Sequence, residues 1–137
     1  MNAITAQELA ATPLELLLVA ERLFSAHGVA GVSTREIARA AGQKNHSAVA
    51  YHFGSKEALV EKILDYRQWP INERREALLE GLEAAGRTRD VRALVHALAA
   101  PFIEELSIDQ DASHYIGFIS QRVCCIKCIL TVWFTII

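Results

Sequence analysis

Apolar side chains recur every three or four residues along most of this chain, and the rhythm breaks at a few glycines and prolines. That period marks helices with one buried face; no stretch shows the two-residue alternation of a half-buried strand. The expected fold is all-α. The first stripe is Leu16, Ala20, Leu23, Phe24 and His27, and Gly28 ends it. Thr12, Pro13 and Glu15 precede it as a capping box, with proline at the first helical position, where its missing N–H is harmless. A scaffold helix is therefore expected over 13–27, with residues 1–11 as a loose arm.

Residues 32–59, VSTREIARAAGQKNHSAVAYHFGSKEAL, carry the densest set of start and stop signals. Ser33 and Glu36 form a second capping box, in which hydroxyl and carboxylate each accept from the other's N–H. Ile37, Ala38 and Ala41 face inward at helical spacing, while Arg35 and Arg39 share the outer side. Gly42 stands where a helix end needs positive φ. Asn45 or Ser47 can cap the next helix, which is about two turns long and stops at Phe53-Gly54. Ser55 caps a third, with Glu57 in its positively polarised first turn. The small residues Ala38, Ala40, Ala41, Ala48 and Ala50 suit a close crossing, and Phe24 and Phe53 are the expected core anchors. Two short helices joined by a tight turn have the layout of a helix-turn-helix.

Beyond this unit the helical period continues. One helix runs from Leu59 to Trp69, where Pro70 should end or kink it. The next spans 72–85 and stops at Gly86; another spans 90–106, bent at Pro101; residues 114–122 begin one more. Trp69, Leu78, Leu98, Phe102 and Tyr115 read either as ordinary core or as the wall of a pocket.

Charge sharpens the picture. Between Ser33 and Lys56 the cations are Arg35, Arg39, Lys44 and Lys56, against Glu36 alone, on a chain of net charge −2. A basic patch on a mildly acidic protein is an electrostatic footprint for nucleic acid. No nucleophile–base pair, paired carboxylates or phosphate-cradling glycine loop points to an enzyme, and no cofactor is implied. The first residues lack the basic start and apolar run of a secretory signal, so a cytoplasmic protein is expected.

Residues 13–67 resemble the N-terminal domain of TetR-family transcriptional repressors. The resemblance is carried by Ala20, Leu23, Phe24, Gly28, Ser33, Thr34, Ile37, Ala38, Ala41, Gly42, Val49, Tyr51, His52, Phe53, Lys56, Glu57 and Leu59. The turn through Gln43, Lys44 and Asn45 is longer than the commonest family spacing, and Ala50 stands where many members have an aromatic residue. The resemblance implies a three-helix DNA-binding domain over 12–67, and a partial helical bundle over 68–137 that binds a small effector and pairs two subunits. It places residues 46–52 in the major groove, with Tyr51 and His52 on phosphates or bases and Lys56 on a phosphate.

The candidate DNA contacts are Thr34, Arg35, Lys44, Asn45, His46, Ser47, Tyr51, His52 and Lys56. Several keep a second reading. Arg35 and Arg39 also suit a solvated surface, Tyr51 core packing, and His52 a helix C-terminal cation. Thr34 also suits a first-turn structural role, Asn45 a cap rather than an adenine reader, and His46 the shaping of the turn. Ser55 and Lys56 at a helix N-terminus suit an anion on physical grounds as well.

From Val123 the composition changes abruptly to VCCIKCILTVWFTII, which holds all three cysteines. Family members continue for several more helices, which make the dimer, so this run reads as a truncated product, from a frameshift near residue 122. It is too short for a membrane span and includes Lys127. A zinc site would need a fourth ligand beside Cys124, Cys125 and Cys128, His114 being one candidate. Two functions follow: a regulator, a homodimer released from its operator by a small molecule, or a truncated helical module that binds DNA weakly or pairs with a full-length relative.

Overall fold

The computed structural model describes residues 11–108 and 112–123. Among them every regular element is a helix: α1 (Ala11–His27), α2 (Thr34–Ala40), α3 (Ala48–Phe53), α4 (Lys56–Ala84), α5 (Val91–Ile108) and α6 (Ala112–Val123). The all-α expectation holds, and α2 and α3 are the helix-turn-helix. The arm over 1–10 and the cysteine-bearing run from residue 124, with the truncation and zinc readings attached to it, lie outside the described residues.

Burial follows the apolar stripe of α1. Leu16, Leu17, Ala20 and Phe24 are completely covered. Val32, Ile37, Ala38, Ala48, Val49, Leu59, Val60 and Ile63 continue the core through α2, α3 and the start of α4. The start of α1 differs from expectation. The helix already includes Ala11, so Thr12 lies within it and caps nothing. Pro13 falls in the first described turn of α1. Two further expectations need correction. Phe53 is only half-buried, and Ala40 and Ala50 are exposed. The buried residues shared between α2 and α3 are Ile37, Ala38, Ala48 and Val49.

The two helices expected on either side of Pro70 are one, α4, about 43 Å long at 1.5 Å per residue. Proline inside a helix costs about 3 kcal/mol, because it forfeits one backbone bond and crowds the preceding turn. Packing on both sides of it overrides that cost: Ile63, Arg67 and Ile71 are all buried. The real stop is Gly86, at φ +66°. Its N–H donates to the Glu83 carbonyl at 2.9 Å and that of Arg87 to Leu82 at 2.8 Å, which is a Schellman end. The domain boundary expected at residue 67 thus falls inside a continuous helix.

Asp90 opens α5, its Oδ1 accepting from the Ala93 N–H at 3.0 Å. The helix lies along α4, held where Arg75 Nε donates to the Leu98 carbonyl at 2.8 Å and Arg74 pairs with Glu105. Ala97 and Pro101 are buried, whereas Leu78 and Leu98, read as either core or pocket wall, are about two-fifths exposed (40% and 43%).

The last described helix returns to the first. Phe118 stacks on Phe24 with ring centroids 6.1 Å apart. Gln121 Nε2 donates to the Ser25 carbonyl at 2.9 Å, supplying a donor to one of the last carbonyls of α1. Gly117 allows the approach, since a Cβ there would stand 2.1 Å from Ser25 Oγ.

Where α1, α4 and α6 meet, the core contains an ion pair. Glu21 and Arg67 are both almost fully buried. Arg67 Nε donates to Glu21 Oε1 at 2.9 Å and Nη2 to Oε2 at 2.7 Å, a forked geometry. The guanidinium also lies over the rings of Tyr66 and Tyr115, at 5.7 and 5.9 Å. Burial pushes the Tyr115 hydroxyl up to about 12.

Candidate nucleic-acid interface

The interface begins at the cap of α2. Ser33 has extended backbone angles, its Oγ accepts from the Glu36 N–H at 3.2 Å, and its own N–H donates to Glu36 Oε2 at 2.7 Å. The expected capping box is complete. The bond from the Ser33 backbone N–H, followed by that from its hydroxyl, holds the Glu36 carboxyl below the usual carboxylate range. The box fixes the start of α2, with Thr34 half-buried as its first residue and Arg35 exposed as its second.

The turn follows from Gly42. At φ +67° it completes a Schellman end, its N–H donating to Arg39 at 3.0 Å and that of Gln43 to Ala38 at 2.9 Å. No atom lies within 4 Å of where a Cβ would stand, so backbone conformation alone requires the glycine. Asn45 then shapes the entry to α3: its Oδ1 accepts from the Ser47 N–H at 2.9 Å and its carbonyl from Ala48 at 3.1 Å. That is a turn-forming use of Asn45, with its amide oxygen already engaged. Ser47 occupies the cap position without a side-chain cap bond. Lys44 and His46 are exposed at the rim of the turn.

The six-residue α3 divides sharply. Ala48 and Val49 face the core, whereas Tyr51 is 81% exposed, beside an exposed His52. The two rings meet edge to face with centroids 4.9 Å apart. The core reading of Tyr51 is therefore wrong. A phenol this exposed forgoes most of the burial that an aromatic side chain gains in a core. Arg35, Arg39 and Lys44 are exposed, and none forms a salt bridge among the described residues. Exposed cations outside salt bridges suit a polyanion.

Lys56 stands apart. Ser55 caps α4, its Oγ accepting from Ala58 at 3.0 Å, but the Lys56 ammonium turns inward to the carbonyls of Val29 and Val32. Sequence reasoning also missed the Glu21–Arg67 pair. Its signal was an acid on the inward stripe of α1, four residues after Leu17 and three before Phe24.

Farther from the reader, an open groove of about 510 Å³ lies between α4 and α5. Leu78, Gly81, Leu82 and Ala93 make its apolar floor, and Arg92 and His96 stand among its polar lining. Of the residues proposed as a pocket wall only Leu78 borders it; Tyr115 belongs to the core.

Residues 16–63 match the family model of the bacterial regulatory proteins, tetR family. The match covers α1 from Leu16 on, the helix-turn-helix and the start of α4. No curated protein matches the chain.

Proposed function

We propose, from the match of residues 16–63 to the tetR family of bacterial regulatory proteins, that this chain is a DNA-binding transcriptional regulator and acts as a repressor released by a small molecule. The reading helix α3 enters the major groove, with Tyr51 and His52 on the DNA. Arg35 and Lys44 face neighbouring phosphates, and Thr34, Asn45, His46 and Ser47 line the same edge. The observation that carries this reading is the exposure of Tyr51, together with the exposed Arg35, Arg39 and Lys44, which form no salt bridge among the described residues.

Repression requires two readers about one helical turn, roughly 34 Å, apart, hence a homodimer. The effector acts by population shift, favouring the arrangement in which the two reading helices no longer match that spacing. The α4–α5 groove is large enough for such a molecule, since ligand pockets measure about 300–1,000 Å³. The chain works in the cytoplasm beside the DNA; no helix among the described residues is long and apolar enough to cross a membrane.

Selection of the purified protein against random duplex DNA at physiological salt tests the reading. The expected product is a palindrome with half-sites one turn apart. Enrichment of a single half-site would refute the homodimer, and no enrichment by a folded protein would refute sequence-specific binding.

A further inference from the structure

The ammonium of Lys56, at the start of α4, is already engaged. Nζ lies 2.9 Å from the Val29 carbonyl oxygen and 3.1 Å from that of Val32. Both acceptors belong to the turn joining α1 to α2. A cation at a helix N-terminus opposes the helix dipole. Two carbonyl oxygens offset that cost, and bonds from a charged donor are stronger than neutral ones.

The placement matters because of what it joins. Only Gly54 and Ser55 separate Lys56 from the end of α3, and Val32 directly precedes Ser33, the cap of α2. The two bonds therefore tie the C-terminal end of the reading helix, with Tyr51 and His52, to the N-terminal end of α2, with Thr34 and Arg35. The reading helix has six residues and turns only Ala48 and Val49 fully into the core. Phe53, its last residue, packs against the core only in part, so the bonds from Lys56 add a polar restraint at that end. Gly54, at φ +83° and without a side chain, adds no packing at its far end.

We propose that Lys56 is a positioning residue, a staple between the start of α4 and the α1–α2 turn that sets the reading helix against α2, and not a phosphate grip. The proposal rests on the DNA-binding reading above. It assigns to geometry an effect that the family resemblance assigns to charge.

The test compares the wild type with Lys56→Met, which keeps most of the stem and removes the donors. Binding to a 20-base-pair duplex of random sequence is measured from about 50 to 200 mM salt, at a temperature where both proteins are folded. A merely stabilising residue would leave the affinity unchanged there. The staple predicts a loss of roughly tenfold, the scale of one charged hydrogen bond, with parallel salt dependences. A slope shallower by about 0.9 would show a lost phosphate contact and overturn the proposal, as would unchanged affinity. Should Lys56→Met fail to fold, proton exchange at the Lys56 ammonium, followed by NMR in the free wild-type protein, decides. Protected ammonium protons support the staple; exchange at the rate of a solvated lysine refutes it. Failure of the wild type to bind the duplex would count against DNA binding itself, leaving the NMR result to judge the staple.

Discussion

Glu21→Ala should be among the most damaging single changes in this protein, although no candidate DNA contact is altered. The substitution leaves the Arg67 guanidinium buried without its carboxylate, and breaking a buried pair by removing one partner costs about 3–5 kcal/mol. Domains of this size are stable by about 5–15 kcal/mol, so a large fraction is lost. With a urea dependence of about 1–3 kcal/mol per molar, the unfolding midpoint should fall by roughly 2 M. The double variant Glu21→Leu/Arg67→Met should behave differently. It replaces both charges with apolar side chains, and such replacements are often neutral or stabilising, by about 1–4 kcal/mol. Urea unfolding followed by far-ultraviolet circular dichroism measures all three proteins. A Glu21→Ala loss below about 1 kcal/mol, or a double variant as unstable as the single one, would refute the argument that the cost lies in the stranded charge.

Two further expectations concern the edges of the reader. Ser33→Ala should cost about 1 kcal/mol in thermal or urea unfolding through loss of the α2 cap. The same box contributes to acid sensitivity. The Glu36 carboxyl is held low in the folded chain, so its contribution is present above its unfolded pKa and disappears as pH falls through the folded value; Asp90, held low chiefly by the bond from Arg87, behaves alike. The unfolding midpoint should therefore decline on acidification through the carboxylate range, and less steeply in Ser33→Ala. Gly117→Ala should destabilise by about 1–3 kcal/mol, because its methyl meets Ser25 Oγ. Ser25→Ala removes that oxygen and should restore most of the loss, measured as a double-mutant cycle.

Much of the reader was legible because its signals are local. The capping box at Ser33, the glycine at position 42 and the cap at Ser55 each act within a few residues, and each stands where the sequence placed it. Pro70 misled for the opposite reason. A proline is a local signal against a helix, but the burial of Arg67 and Ile71 is a tertiary fact, and it wins. Exposure was equally hard to read. Tyr51 and Leu78 have the spacing and chemistry of core residues, and only the positions of the other helices leave them outside. For Lys56 the position was legible but the direction was not. At a helix N-terminus its stem can lead outward to a phosphate or back to Val29 and Val32, and the choice depends on a turn more than twenty residues earlier in the chain.

The return of α6 to α1 bears on how this protein could be taken apart or recombined. Tyr115 and Phe118 belong to the same hydrophobic cluster as Val49 and Ile63. The reading head is thus not a cartridge that could be cut out after residue 67 and fitted to another body. Excision would bare Phe24 and remove Tyr115 from the ring pair over Arg67. On the function proposed above, an exchange of specificity would fall to the outward side chains of α2 and α3, where the exposed Arg35, Tyr51 and His52 can change without reopening the core.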